Sequence, residues 1–276
     1  MWDAGMVYAS VGSGYRAGEI QDGGDVTNPE NSVSYELGYK FDSDYVRFNA
    51  AAFYVDYTDL IRSGFDEDKN QIVTSNVAGA EINGFEAEVV WLIGDGGTLE
   101  FGGGYLDAKY TDYLVDSPGF GTNIPALVDE NGEPTGFYSL AGNTMPQSPE
   151  FSFNTTLRWE FATEAGYLAP RINIRYVDTV YFRDHNENGA EINNLINDVE
   201  QTGYYSGNPA GQDAHIKVNL GLTIFDQDGL LVDLFLNNAT NEMTRSSSSV
   251  DNNTSAGFPG RYASPRTWGL RLNMNF

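Results

Sequence analysis

Along its whole length the chain returns to one pattern, a large apolar side chain at every second position with polar or small residues between. Successive side chains of an extended strand point to opposite faces of a sheet, so each such run specifies a strand with one greasy and one wet face. The closing stretch, WGLRLNMNF, does this strictly, with Trp268, Leu270, Leu272, Met274 and Phe276 set against Gly269, Arg271, Asn273 and Asn275. Val33 to Phe41, Phe151 to Phe161 and Ile216 to Ile224 repeat it cleanly; Leu168 to Tyr176 and Phe85 to Trp91 do so nearly as well. In DYVRFNAAAFYVDY the phase set by Val46, Phe48, Ala50 and Ala52 changes at Phe53, which predicts a bulge or a strand end there.

The pattern predicts about ten strands, near 4–16, 32–42, 44–59, 71–93, 97–111, 148–162, 166–183, 212–226, 229–240 and 261–276. Four connections are tight and rich in turn residues: FDSDY around Ser43, GDGG at 94–97, TEAG at 163–166 and DQDG at 226–229. They alternate with long ones at 17–31, 60–70, 112–147, 184–211 and 241–260. A soluble β-sandwich gives no reason for this alternation, whereas an outer-membrane barrel has short turns on one side and long loops on the other. The fold class expected is therefore all-β, an antiparallel transmembrane β-barrel over residues 1–276. No run reaches the roughly 18 apolar residues of a membrane helix, which excludes a helical membrane protein and leaves a barrel open.

Charge follows the same division. The five long connections hold 19 acidic and 3 basic residues, most of the net charge of -24, so the acidity belongs to one rim. A balance so negative argues against nucleic acid as a partner. The polar strand face is mixed, with Glu36, Lys40, Glu86, Glu88, Arg158, Glu160, Arg171, Arg175, Lys217 and Arg271, and in a barrel it would line the lumen. Aromatics gather near strand ends as two girdles would: Tyr15, Tyr54, Tyr57, Tyr110, Tyr113, Tyr181 and Tyr262 toward the long loops, Phe41, Tyr45, Trp91, Trp159, Phe161 and Phe225 toward the short turns.

Chemistry of other kinds finds little footing. Cysteine is absent, and the only histidines are His185 and His215. Glu86 and Glu88 share a face as a glycosidase pair might, but two carboxylates on a wet strand face are more often simply wall, so no catalytic residues and no cofactor are assigned. Asp184, Asn186 and Asn188 in DHNENG match the opening of a calcium loop, which fails where a bidentate Glu is needed because Leu195 stands there. Gly102, Gly103 and Gly104 give no phosphate loop and are expected to relieve crowding or bend a strand.

Three blocks together resemble one family. GRYASPRTWGLRLNMNF, with Ser264, Pro265 and Arg266 turning into the last strand, resembles the C-terminus of TonB-dependent outer-membrane receptors. MVYASVGSGYRAGE, near the start of the chain, resembles the family's aromatic-serine-glycine strand that ends in G-Y/F-R/K-A-G/P. RFNAAAFYVDYTDLI followed by NVAGAEINGFEAEVVW resembles its long hairpin, with the G-F-E-x-E motif at Gly84, Phe85, Glu86 and Glu88. The resemblance implies a 22-stranded, plugged barrel of which this chain would be the last ten strands, with the plug and the first twelve strands missing. MWDAGMVYAS shows no export leader, which fits that expectation.

The same resemblance implies energised uptake of a small-molecule ligand, commonly a ferric siderophore, captured by loops 112–147 and 184–211 and driven by a TonB complex acting through the plug. It further implies that Phe276 and the alternating residues before it form the signal read by the outer-membrane assembly machinery, and that outer-membrane lipid covers the greasy face. The acidic loops argue against an anionic ligand held by surface Arg clusters and leave cationic or neutral ligands, or loops bridged by divalent cations, open. Two alternatives stay open: a self-contained ten-stranded barrel acting as rim-site enzyme or adhesin, which requires residues 4–16 to pair with 261–276, and a secreted β-sandwich.

Overall fold

A computed structural model describes residues 4–20, 26–66, 71–76, 79–116, 124–164, 166–186, 210–226, 229–248 and 260–274. Strands β1 (Ala4–Arg16), β2 (Glu30–Asp42) and β3 (Val46–Thr58) lead into a short pair, β4 (Ile61–Asp66) and β5 (Gln71–Asn76). Next come β6 (Gly79–Ile93) and β7 (Gly97–Asp112), then β8 (Leu114–Val115), β9 (Ala126–Val128) and β10 (Pro134–Ser139). β11 (Phe151–Trp159), β12 (Phe161–Thr163) and β13 (Gly166–Val177) precede β14 (Val180–Tyr181) and β15 (Gly211–Gln212). β16 (His215–Asp226), β17 (Leu230–Asn237), β18 (Arg245–Ser248), β19 (Gly260–Tyr262) and β20 (Thr267–Met274) complete the described chain.

The long strands form one wall in the order β1-β2-β3-β6-β7-β11-β13-β16-β17-β20, with β12 extending β11 against β13. Every neighbouring pair is antiparallel, so the wall is a simple up-and-down meander. The tight turns therefore share one end. At the first, Ser43 closes the link by donating its amide to the Val46 carbonyl at 2.9 Å and accepting the Val46 amide on its hydroxyl at 3.0 Å. At another, Gly94 and Gly96 supply positive φ values of 55° and 126° that other residues rarely adopt. The long connections rise from the opposite end and carry the small pairs β4–β5, β8–β10–β9, β14–β15 and β18–β19.

Register turns the alternation of separate strands into one continuous apolar face. Leu157 lies opposite Leu99 and Ile172, Ile172 opposite Leu220, Leu220 opposite Leu236, and Leu236 opposite Trp268. At the other side of the wall Tyr39 meets Val7 and Ala50, and Ala50 meets Ala87. Among the described residues nothing covers this face: Trp268 is 82 % exposed and Val11 71 %. A contiguous apolar surface of this extent in water would aggregate, and in a bilayer it is the required solvent-facing surface.

Several expectations need correction. Stretch 71–93 is not one strand, because Gln71–Asn76 pairs back on Ile61–Asp66 and the wall strand starts at Gly79. Stretch 261–276 also divides: Gly260–Tyr262 pairs with β18, and the wall strand begins at Thr267, after Pro265, which has no N–H for a ladder. No bulge occurs at Phe53; β3 keeps its register through Thr58 against β2 and through Tyr57 against β6, so Phe53 turns to the polar face and Tyr54 stays on the apolar one, 6.3 Å from Tyr35. Phe53 fits because Gly84 lies opposite; a Cβ at Gly84 would come within 2.2 Å of its ring. Among the described residues β1 and β20 do not pair and end the order on opposite sides, so the closure that a self-contained ten-stranded barrel requires is not made.

Candidate functional site

Two surfaces carry chemistry, the polar face of the wall and the rim of long loops. Antiparallel register assembles the first. Glu86 and Glu88 of β6 lie opposite Gly104 and Gly102, Asn154 lies opposite Gly102 on the other side, and Arg175 lies opposite Asn154 and Lys217. A groove of about 600 Å³ runs here, with Glu86 and Glu88 on one bank, Asn154 and Arg175 on the other, and glycine between. Glu36 sits opposite Ser10 and Phe53. Lys40 places its ammonium 5.3 Å from the Tyr8 ring centroid, a cation–π distance.

Toward the last strands the charges are paired. Arg171 donates to Asp233 at 2.8 Å, Thr223 donates to the same carboxylate oxygen at 3.0 Å, and Arg271 reaches the other oxygen at 3.4 Å. Asp233 is almost sealed from solvent, at 6 % exposure, so its charge depends on these donors. Arg171 lies across Gly221, where a Cβ would come 2.5 Å from the guanidinium, and Phe235 lies across Gly269 in the same manner at 2.4 Å. Arg158 pairs with Glu160 at 3.1 Å, and Lys217 donates to Thr244 at 2.6 Å. The alternation in LLVDLFL already places Asp233 on the polar face, a signal that sequence reasoning passed over.

An asparagine ladder crosses the same face. Asn173 donates to Asn154 at 2.8 Å, Asn219 donates to Asn173 at 2.9 Å, and the amide of Asn238 donates to Asn219 at 2.8 Å. Asn238, at a φ of 50°, then donates to the carbonyls of Glu242 at 2.9 Å and Ser264 at 3.4 Å. Arg266 completes the junction, its amide donating to Asn241 at 3.0 Å and its guanidinium to the Ala239 carbonyl at 3.3 Å. The Ser264-Pro265-Arg266 segment thus docks on the loop that follows β17 and sets where the last strand enters the wall.

The rim holds the buried core cluster, formed by Leu60, Ala80, Tyr110, Tyr113 and Leu140. Tyr110 and Tyr113 meet edge to face, 4.8 Å between centroids. Above them Asp184 accepts hydrogen bonds from the Tyr110 hydroxyl and, at 3.3 Å, from the Tyr113 hydroxyl, while Arg62 stands 3.7 Å from it and also donates to Tyr110. Burial first, and the Asp184 charge second, push the Tyr113 hydroxyl well above its ordinary range, so it stays a donor. Asn143 donates to the Asp184 carbonyl at 2.9 Å, and Asn186 exchanges bonds with the backbone of Thr144 at 2.7 and 2.8 Å. Tyr57 and Tyr110 are therefore drawn to the polar side and into this cluster rather than into an outward girdle.

Each long loop is tied to the next. Asn28 and Asn76 exchange bonds at 2.6 and 3.0 Å, Arg62 reaches Tyr110, Gln147 donates to the Tyr181 carbonyl at 2.8 Å, and Arg245 donates to Gln212. Asp184 and Asn186, the candidate calcium ligands, thus serve as loop staples; Asn188 lies outside the described residues, as does Phe276. No group of three acidic or histidine side chains able to hold a metal occurs among the described residues. The residues of the rim cluster come from three distant loops and carry no periodic signal, so sequence reading could not assemble them.

Comparison with known proteins fits this architecture. The family model described as TonB dependent receptor-like, beta-barrel matches residues 1–210. The pesticin receptors of Yersinia pestis and Yersinia enterocolitica are each 24% identical over 192 residues, 67% of this chain and 25% of theirs, so the chain spans about a quarter of their length. Among solved structures, the ferric yersiniabactin uptake receptor FyuA from Yersinia pestis superposes with a TM-score of 0.71 at 18% identity, over 99% of this chain and 35% of that one. The siderophore receptor PiuA from Acinetobacter baumannii gives 0.66 at 17% identity, over 98% and 34%. The copper transporter OprC gives 0.64 at 14%, over 99% and 37%.

Proposed function

The chain belongs to the TonB dependent receptor-like β-barrel family of the bacterial outer membrane, and from that premise we propose that it is the C-terminal wall of a receptor for active uptake of a scarce ligand, a ferric siderophore or similar iron complex. The carrying observation is the division of the molecule into three surfaces. One face is continuously apolar, the other is wet and charged with both signs, and loops tied one to the next gather over a single end. In this reading the polar face, with Glu36, Glu86, Glu88, Arg158, Arg175 and Arg271, lines a lumen occupied by a plug supplied outside this chain. The unpaired edges of β1 and β20 join further strands, since open edges cannot face lipid. Phe276, with Trp268, Leu270, Leu272 and Met274 before it, is the assembly signal. A TonB complex acts through the plug, and the ligand is met by the loops at 112–147 and 184–211.

The test is uptake of radio-iron by cells expressing the intact receptor, offered a panel of ferric siderophores, with the energy-coupling complex present or deleted. Accumulation that needs both receptor and coupling complex is the expected result. Growth and accumulation indifferent to the coupling complex, or to every ferric chelate, sinks the proposal. The self-contained barrel has no observation in its favour, because β1 and β20 stand apart.

A further inference from the structure

The apolar face of the wall is not uniformly flat. Ala50, Ala87 and Gly103 lie directly opposite one another across β3, β6 and β7, and Gly103 faces Phe153 of β11. Around the Ala87–Gly103 floor rise Phe85, Phe101, Tyr105, Phe151, Phe153 and Tyr176, and the notch they enclose measures about 420 Å³. The walls are packed rings: Tyr105 and Phe151 are 4.9 Å apart between centroids, Phe153 and Tyr176 are 5.5 Å apart, and Phe101 and Phe153 are 6.3 Å apart. Their packing depends on the glycine, since a Cβ at Gly103 would come 2.8 Å from Phe153 and 3.1 Å from Phe101. The notch lies at the loop end of β11 and β13, where Phe151 opens β11 and Tyr176 is one residue from the end of β13, and at the middle of the longer β6 and β7, which run on past it toward the loops.

We propose that this notch is a binding site for one acyl chain of a membrane lipid from the leaflet on the loop side. The face is in contact with the bilayer, so the choice of occupant is made among hydrocarbons. Apolar surfaces in lipid gain nothing by leaving water, and packing alone decides what stays. A flat wall touches a passing chain on one side; a notch with rigid ring walls touches it on several, and each forfeited contact is lost dispersion energy. An apolar cavity of about 150 Å³ accommodates benzene, so a volume of this size takes a run of several methylenes. A strand of another protein part is a poor occupant, because the notch lies between β6 and β13, away from the open edges of β1 and β20, and its lining is almost wholly apolar, polar only at Ser152 and the Tyr105 and Tyr176 hydroxyls, too few to satisfy a backbone.

The test uses the intact receptor in phosphatidylcholine vesicles doped with a phosphatidylcholine carrying a diazirine in its acyl chain, with adducts mapped by peptide mass spectrometry. Adducts are expected to concentrate on peptides holding Phe101–Tyr105 and Phe151–Phe153, roughly fivefold over the stretch Leu230–Leu236, because the notch surrounds the chain and that stretch touches it on one side. Ala87→Leu fills the floor while leaving Gly103 itself in place, and is expected to bring the notch down to the flat level while the receptor keeps its heat-shifted gel band. Ala87→Val is the milder filling variant should Ala87→Leu lose that band. Even labelling along the face, or labelling unchanged in a folded filling variant, overturns the proposal. So does a benzophenone side chain at Phe101 that captures a second protein chain in native membranes instead of lipid.

Discussion

At the rim, Tyr110 and Leu140 are all but sealed from solvent and Asp184 is shared by two tyrosines and an arginine; in the wall, Trp268, Leu270 and Leu272 point outward with none of the described residues over them. The rim is built as a soluble protein is built, by burying apolar groups and satisfying the polar ones trapped with them. The wall has backbone ladders, a polar network on one side and membrane on the other. The same chain therefore answers to two solvents, and a substitution that is harmless in one region is damaging in the other.

The largest effect is expected where the rim is densest. Tyr110→Ala in the intact receptor removes a buried ring and leaves Asp184 short of a donor, a local loss of about 3–5 kcal/mol. Hydrogen exchange should accelerate around residues 140–146 and 180–186 while the wall strands keep their protection; uniform loss along the wall would show that rim and wall are one cooperative unit. Next, Leu222→Arg, on the apolar face of β16, should cost about 2–4 kcal/mol in the bilayer and be read as a lower unfolding midpoint in vesicles. The same exchange of apolar for charged at exposed Leu127, in β9 on the rim, should change little.

A smaller loss, roughly 1–3 kcal/mol, is expected for Asp233→Ala, which strands Arg171 beside a carboxylate that is gone, the figure kept low because Arg171 is 35% exposed. Urea unfolding of the intact receptor in detergent checks it, and an unchanged midpoint would mean that water satisfies Arg171 unaided. The smallest effect concerns pH. Asp129 caps the turn between β9 and β10, its carboxylate accepting the amides of Glu133 at 2.9 Å and Asn131 at 2.8 Å, and those bonds hold its pKa below the usual carboxylate value. A lowered folded pKa contributes stability that is full above the unfolded value and is lost as pH falls through the folded one. The turn should thus fray only in acid, seen as faster exchange at 129–133, and Asp129→Asn should flatten that dependence.

Much of the wall could be read from the sequence because period-two alternation is a local property and ten repetitions of it, with tight and long links in turn, admit few arrangements. Strand order and the common end of the short turns follow from it. What escaped had non-local causes. Phe53 looks like a break in phase, but Gly84, thirty-one residues on, makes room for its ring on the polar face. Gln71–Asn76 has strand character and is claimed by a neighbour within its own loop. Asp184 sits in a stretch that only opens like a calcium loop, and its bonds to Tyr110 and Tyr113 and its ion pair with Arg62 join residues far apart in the chain, which no local pattern announces.

The bare apolar face has a consequence for how such a chain changes over time. In a two-layered domain a core side chain must match the volume of its neighbours, and each replacement obliges others. Here most outward side chains abut fluid hydrocarbon, which reshapes itself around whatever is presented, so a leucine can give way to a valine, a tryptophan or a phenylalanine with little correction elsewhere. Only polarity and the alternation are held fixed. A backbone that superposes at a TM-score of 0.71 on a relative sharing 18% of its residues is what that freedom leaves behind.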